Sequence, residues 1–305
     1  MAAGGDGDRD ELAGGRGGSG SGGGDDSGGR GLLRVVATPI GNLGDLSPRA
    51  REALETADVI AAEDTRRTGS LLQKLGLPKK RILSYFAPRE REKARAIVER
   101  LRAGETVALV TDGGTPGVSD PGAVLVQEAH AAGARVESVP GPSAVTAALS
   151  VSSLGGDAFV FEGFLPPKSA ARRKRLRELA EDPRALVLYE APHRLAGALA
   201  DCAAVLGDGR RATLLREATK LHEETVDSTL GELAQRFSGD VKGEVVIVVE
   251  GGEPDPDRVT VDVKALLDLA IGCGLSPERA AREVAAATGL PRNRLTKEAR
   301  ERGNP

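Results

Sequence analysis

The stretch Val110-Thr111-Asp112-Gly113-Gly114-Thr115-Pro116-Gly117-Val118-Ser119-Asp120-Pro121-Gly122 decides how the fold is read. An apolar run, 106–110, enters it, and a helical pattern, 123–132, leaves it. An apolar run ahead of a glycine cluster reads as a buried parallel strand. In open α/β sheets, ligands sit outside the carboxyl ends of the strands, where this loop would stand. Its glycines let backbone approach a ligand closely, and its prolines hold one loop shape. The loop contains no lysine, so it is not a P-loop, and it lacks the dinucleotide Gly-x-Gly-x-x-Gly spacing.

Outward from this stretch, the order strand, polar loop, helix recurs. The run 32–37 reads as a strand that ends in Thr38-Pro39-Ile40-Gly41-Asn42-Leu43-Gly44-Asp45. Ser47-Pro48 then supplies an N-cap and a proline at N1 for a helix to about residue 56. The strand 58–62 ends in Glu63-Asp64-Thr65-Arg66-Arg67, and 82–86 is strand-like. The charged segment 89–102 carries Ala94, Ile97, Val98 and Leu101 at helical spacing. The strand 135–139 closes in Pro140-Gly141-Pro142-Ser143, and an alanine-rich helix follows to about residue 151. This alternation predicts a mostly parallel α/β domain. Parallel strands would gather loops 38–45, 63–67, 111–122 and 140–143 on one edge, leaving the plainer loops 103–105 and 132–134 on the other. That asymmetry marks a binding edge.

After Ser153-Leu154-Gly155-Gly156 the pattern restarts. Strands are expected at 159–164, 185–189, 212–217 and 245–250, with helices at 168–181, 195–206 and 230–237. Two strand ends carry polar motifs, Glu190-Ala191-Pro192-His193-Arg194 and Ala218-Thr219-Lys220-Leu221-His222-Glu223-Glu224. An acidic linker, 251–257, leads to three short helices at 263–271, 276–288 and 291–302. These resemble a helix-turn-helix, with Arg292, Arg294, Lys297, Arg300 and Arg302 near the end. A dimer prop and a nucleic-acid contact both suit that module. The expected organisation is an α/β protein of two α/β domains, 32–152 and 153–252, with a cleft between them. A disordered Gly-rich tail, 1–31, precedes them, and a helical module, 258–305, follows.

The bulk properties narrow the function. The formal net charge of -3 gives no global attraction to nucleic acid, so any basic footprint must be local. Cys202 and Cys273 are isolated, and His130, His193 and His222 have no ligand-like neighbours. Neither a disulfide framework nor a metal is expected, and the compartment reads as a reducing cytoplasm. No apolar run approaches the roughly 20 residues needed to span a bilayer, so no membrane partner is expected. Aromatics form only 2% of the chain, which favours backbone and shape contacts over base stacking in any RNA complex.

Three constellations could carry chemistry. Lys168, Arg172, Arg173, Lys174, Arg175 and Arg177 form a cationic run that suits a phosphate backbone, though it also reads as a solvated helix face. Glu63, Asp64 and Arg66 stand at one strand end, and Glu217, Lys220 and Glu223 at another. These read either as structural ion pairs or as groups that orient a hydroxyl and take its proton. Lys220 is expected to serve either as a base, its pKa lowered by partial desolvation, or as a cation that stabilises charge.

Taken together, Thr38-Pro39-Ile40-Gly41-Asn42-Leu43, Glu63-Asp64-Thr65-Arg66, the 114–122 run, Pro140-Gly141-Pro142-Ser143, Tyr189-Glu190-Ala191-Pro192-His193-Arg194 and Thr219-Lys220-Leu221-His222-Glu223-Glu224 resemble the ribosomal RNA small subunit methyltransferase I family. The resemblance covers about residues 33–252 and places the chain in the tetrapyrrole-methylase superfamily. It implies S-adenosylmethionine as cofactor and 2′-O-methylation of a cytidine in the decoding region of 16S rRNA. It also implies a cytoplasmic homodimer that acts on the small ribosomal subunit. By motif, Pro39, Gly113, Gly114, Thr115, Val118, Ser143, Ala144, Glu190 and Ala218 are expected at the cofactor. Lys220, Asp64 and Arg66 are expected at the reacting ribose, and Lys168, Arg172, Arg173 and Arg175 on the RNA. Thr111-Asp112-Gly113 departs from the family's usual Ser-Asp-Ala. Alternative readings are a small-molecule tetrapyrrole (precorrin-type) methylase and a non-catalytic cofactor- or RNA-binding module.

Overall fold

The run 106–110 lies at the centre of a sheet, as its uninterrupted apolar character requires. A computed structural model describes residues 31–86, 90–154, 158–253 and 262–302. The chain divides into two units after Ala144. Residues 1–30 of the expected tail lie outside the described residues, as does most of the 251–257 linker. Gly31, counted with that tail from sequence, is buried and donates its N–H to the Leu101 carbonyl at 2.9 Å.

The first unit runs β1 (Leu32–Val36), α1 (Pro48–Thr56), β2 (Val59–Ala62), α2 (Thr65–Lys74), β3 (Arg81–Ser84), α3 (Glu90–Arg102), β4 (Thr106–Val110), α4 (Ala123–Ala131), β5 (Arg135–Val139). The strand order is β3-β2-β4-β1-β5, and every pairing is parallel. Right-handed crossovers fix the faces. Connections running towards β3 carry α1 and α2 onto one face, where Ala50, Leu54 and Leu72 pack on Val36, Ile60 and Ala108. Those running towards β5 carry α3 and α4 onto the other, where Ile97, Leu101 and Leu125 pack on Leu33, Val107 and Leu109. The chain therefore leaves the neighbouring strands β1 and β4 in opposite directions. That is a topological switch point, where doubly wound sheets open a ligand crevice.

The second unit contains α5 (Ala144–Val151, its first residue closing the first unit), β6 (Phe159–Phe164), α6 (Ser169–Leu179), β7 (Ala185–Glu190), α7 (Leu195–Leu206), β8 (Arg211–Arg216), β9 (Glu224–Thr229), α8 (Leu230–Arg236) and β10 (Val245–Val249). Its sheet has the order β6-β7-β10-β8-β9. Only β6 and β7 pair in parallel; the other pairings are antiparallel. The central strand β10 is Val-Val-Ile-Val-Val and is buried throughout. Strand β9 does not follow from the sequence pattern. Val226 is its only apolar residue, and it is an edge strand that pairs on one side alone.

The α6 region corrects the expectation that Arg172 faces RNA. Arg172 is 6% exposed and pairs with Asp201 at 2.6 Å, donating also to the Pro167 and Gly197 carbonyls. It fastens α6 to α7. Arg173 pairs with the same Asp201 at 2.5 Å, and Arg175 with Glu162 at 2.7 Å and Glu178 at 2.9 Å. Leu176, one turn on from Arg172, takes the next inward position. A helix that packs on one face turns part of any cationic run inwards, and a buried cation needs a counter-charge.

Three further helices, α9 (Val263–Gly272), α10 (Pro277–Thr288) and α11 (Arg292–Arg302), pack around their own cluster of Leu267, Ala280, Ala281, Val284, Leu295 and Ala299. Among the described residues, no helix is long and apolar enough to cross a membrane.

Burial pushes the Asp201 carboxyl up, but hydrogen bonds from Arg173, Ser169 and Arg172 outweigh it, so its pKa is lowered. The pairing therefore stabilises in full above the usual aspartate range and is lost as pH falls through the depressed value. Arg172→Ala leaves a buried carboxylate short of its partner. The expected loss is about 3 kcal/mol in equilibrium urea unfolding at neutral pH, shrinking as the pH is lowered.

Candidate functional site

Three loops meet at the carboxyl edge of the first sheet. Thr38, just past β1, and Gly114, just past β4, exchange two backbone hydrogen bonds, each 2.9 Å. Gly114 sits at φ +86°, where a side chain would be strained. A Cβ on Gly113 would stand 3.1 Å from the Pro39 carbonyl. The Thr115 hydroxyl reaches the Pro142 carbonyl at 3.5 Å, joining the β4 loop to the β5 loop. Pro39, Gly113, Gly114 and Thr115 are thereby brought together, and Ser143 and Ala144 follow Pro142 directly. Val118 lies further along the β4 loop, 38% exposed. A cavity of about 200 Å³ lies beside the junction, lined in part by Pro39, Ile40, Arg67, Thr111 and Asp112.

Asp112, which lines this cavity, belongs to an acidic cluster with Glu63 and Asp64. The Asp64 side chain caps α2, accepting from the Arg66 N–H at 2.8 Å, and pairs with the Arg66 guanidinium at 3.1 Å. The Arg66 side-chain bond, with the backbone caps, holds the Asp64 carboxyl down at about 2. Asp112 accepts from the Asp64 N–H at 3.2 Å and pairs with Arg67 at 3.0 Å. Glu63 accepts from the Asp112 N–H at 3.4 Å, and burial raises its pKa. Sequence spacing brought out Asp64 and Arg66. It did not bring out the part played by Asp112, because the contact crosses from β2 to β4.

The motifs of the second unit also share an edge. Strands β7 and β8 both run antiparallel to β10, so their carboxyl ends coincide: Glu190 and Arg216 each register with Val245. Glu190 is 3% exposed, accepts from the Ala191 N–H at 2.9 Å and pairs with Arg194 at 3.1 Å. Burial raises its pKa against the pull of these partners. Ala218 lies between Glu217 and Thr219, two non-glycine residues at φ +52° and +65°. A turn this strained is held by its surroundings. Glu217 and Glu244 exchange backbone and side-chain hydrogen bonds at 2.9 and 3.0 Å, and Gly243 leaves the room that the Glu217 side chain fills.

Lys220 departs from the expectation of a lowered pKa. Its ammonium donates to Glu217 at 2.8 Å and Glu244 at 3.1 Å. Desolvation alone would lower its pKa, but the two carboxylates outweigh it and the net shift is upward. Lys220 is a fixed cation rather than a lysine poised near neutrality. Glu244 stands 24 residues along the chain, so nothing local to the Thr-Lys motif signals it. His193 follows Pro192 in a short 3-10 turn.

The site fits a cofactor that takes backbone hydrogen bonds. Gly113 presents backbone free of side chain, and the buried Thr111 hydroxyl has no hydrogen-bond partner among the described residues; in the second unit, taken by itself, the Thr219 hydroxyl has none either. Buried polar atoms of this kind call for one. Among the described residues, no group of three or more His, Cys, Asp or Glu gathers as a metal site would require.

A parallel sheet with glycine-shaped loops at its switch point, followed by a mixed sheet, defines a class of two-sheet α/β proteins with a ligand-binding edge at that point. The family model described as Tetrapyrrole (Corrin/Porphyrin) Methylases matches residues 33–234. Solved structures agree in fold. A cobalamin biosynthetic enzyme, cobalt precorrin-4 methyltransferase, superposes with a TM-score of 0.55 at 20% identity, covering 75% of this chain and 98% of that one. Uroporphyrin-III C-methyltransferase from Thermus thermophilus, complexed with S-adenyl homocysteine, gives 0.52 at 24%, covering 72% and 97%. Ribosomal RNA small subunit methyltransferase I from Xylella fastidiosa is 48% identical over 268 residues, 87% of this chain and 97% of its own length. Its namesake from Mycobacterium tuberculosis is 44% identical over 281 residues, 90% and 98%. The chain belongs to the ribosomal RNA small subunit methyltransferase I family, within the tetrapyrrole methylases. It is a methyltransferase, and its methyl donor is S-adenosylmethionine.

A side chain at Gly113 meets the Pro39 carbonyl and enters the backbone cradle. Gly113→Val should weaken S-adenosylhomocysteine binding at least tenfold by isothermal titration calorimetry, with circular dichroism unchanged.

Proposed function

We propose that this protein methylates the 2′-hydroxyl of a cytidine ribose in the decoding region of 16S rRNA. In this reading it acts on the small ribosomal subunit, in the cytoplasm, as a homodimer. The single observation that carries the substrate assignment is the 48% identity, along almost the whole of the relative's length, to a protein named for that ribosomal RNA subunit. Pro39, Gly113, Gly114, Thr115, Val118, Ser143 and Ala144 are assigned to the cofactor. Glu190 and Ala218 join them by motif alone.

S-adenosylmethionine supplies an electrophilic methyl group, so the protein's work is alignment, exclusion of water and charge control. Bound S-adenosylmethionine would supply the methyl group and leave as the thioether S-adenosylhomocysteine, while the ribose hydroxyl would give up its proton to solvent. The ribose oxygen is a poor nucleophile until that proton starts to leave. Lys220 is assigned to the developing negative charge, as a cation held by Glu217 and Glu244. Asp64, ionised at any physiological pH, and Arg66, whose side chain is 90% exposed, are assigned to orienting the ribose and its phosphate.

Incubation with labelled S-adenosylmethionine and small subunits tests the assignment. Label is expected in the rRNA, on a ribose oxygen. Label on a base, or on a tetrapyrrole offered in its place, would reject it. The electrostatic role of Lys220 predicts that Lys220→Ala lowers kcat about a hundredfold. Lys220→Arg should retain most activity, because arginine keeps the charge but cannot serve as a base. An inactive arginine variant that binds cofactor and subunits normally would return Lys220 to the role of base.

A further inference from the structure

Arg172 is buried, while Lys168, Lys174 and Arg177 stay exposed and, among the described residues, take part in no ion pair. The helical module offers a second cationic surface. Helix α11 carries five cations against two carboxylates, in a chain whose net charge is -3. Its first six residues, Arg292-Asn293-Arg294-Leu295-Thr296-Lys297, hold three cations and no carboxylate. Leu295 and Ala299 are buried in the module's core. On a helix of 3.6 residues per turn this directs Asn293 and Lys297 straight outwards, with Arg294 and Arg300 flanking them. Arg292, Asn293, Arg294, Lys297 and Arg300 are all exposed.

The pairing of these charges is uneven. Arg294 pairs with Glu298 at 3.2 Å and Arg300 with Glu278 at 3.0 Å, while Arg302 pairs with Asp268. Among the described residues, Arg292 and Lys297 take part in no ion pair. The exposed pairs contribute little stability and are readily exchanged for a phosphate. A tight turn leads into the helix. Gly289 closes α10 at φ +70°, donating its N–H to Ala285, and three residues later α11 begins. Helices α10 and α11 thus form a helix-turn-helix, the arrangement that presents a helix's first turns to nucleic acid.

We infer that the exposed amino-terminal turns of α11 dock on the phosphate backbone of a double-helical segment of ribosomal RNA. Arg292, Arg294 and Lys297 make the contacts. The inference rests on the substrate reading above and names the surface that holds the substrate. The narrow major groove of an RNA helix does not admit an α-helix, so the contact follows backbone and shape and reads no bases. Three short-range cations suit that role, and the module's few apolar surface groups do not suit a protein groove.

The test is binding of the full-length protein to purified small subunits across a series of salt concentrations, read without turnover. Replacing Arg292, Arg294 and Lys297 together by alanine leaves Leu295 and Ala299 in place, so the module keeps its core. Subunit binding should weaken roughly tenfold or more, and the slope of log K against log salt should flatten by about 2. KM for subunits should rise, with S-adenosylhomocysteine affinity unchanged. Arg292→Lys with Arg294→Lys should restore both affinity and slope. An unaltered slope and KM in the alanine variant would overturn the inference, as would a lysine variant as defective as the alanine one. Equal displacement by duplex DNA at the same salt would assign the face to DNA and overturn it too. If wild-type protein binds subunits through this face yet leaves them unmethylated, the substrate reading fails instead.

Discussion

Two backbone hydrogen bonds between Thr38 and Gly114 hold the binding edge of the first unit in shape. They join the loops that leave β1 and β4, the adjacent strands from which the chain departs in opposite directions. Without that link the two loops would be free to follow their own helices onto opposite faces of the sheet. Closing them on each other needs backbone at φ +86° in Gly114 and a bare Cα in Gly113 beside the Pro39 carbonyl. Those requirements explain why glycine-rich sequence stands where it does. A cofactor recognised through backbone groups needs the loop fixed beforehand, since ordering it on binding would cost affinity.

The second unit reaches a comparable result by other means. Its edge is set by β10, whose amino end lies between the carboxyl ends of β7 and β8. The 217–223 turn is held in an unfavourable backbone conformation by Glu244 and by the space over Gly243. The same contacts fix the Lys220 ammonium between two carboxylates. A cation so placed gives up conformational freedom in advance and keeps its proton. That combination suits stabilising charge better than accepting a proton.

Cations in this chain serve three different ends. Arg172 is a fastener, buried against Asp201 with its remaining donors on backbone carbonyls. Lys220 is a positioned charge at the edge of a sheet. The cations at the start of α11 are exposed, and two of those on the helix are unpaired among the described residues. All three kinds of site look alike as a count of positive residues. Helix phase and the position of distant carboxylates separate them.

The α/β alternation, the parallel first sheet and the edge bearing the polar loops were legible in the sequence. Each rests on local pattern: buried parallel strands are uniformly apolar, and turns that crowd backbone require glycine and proline. The family was legible too, because its motifs are contiguous. Strand β9 was not, since an edge strand with one buried side chain lacks the apolar signature of its neighbours. The charge states were also beyond the sequence. Which carboxylate faces Lys220, and which arginine of 168–177 turns inwards, depend on residues 24 and 29 positions away along the chain. Local chemistry thus determined the elements and the loops that carry the site. Tertiary structure alone decided the electrostatics, because an ionisable group's behaviour is set by whatever packing brings within a few ångströms of it.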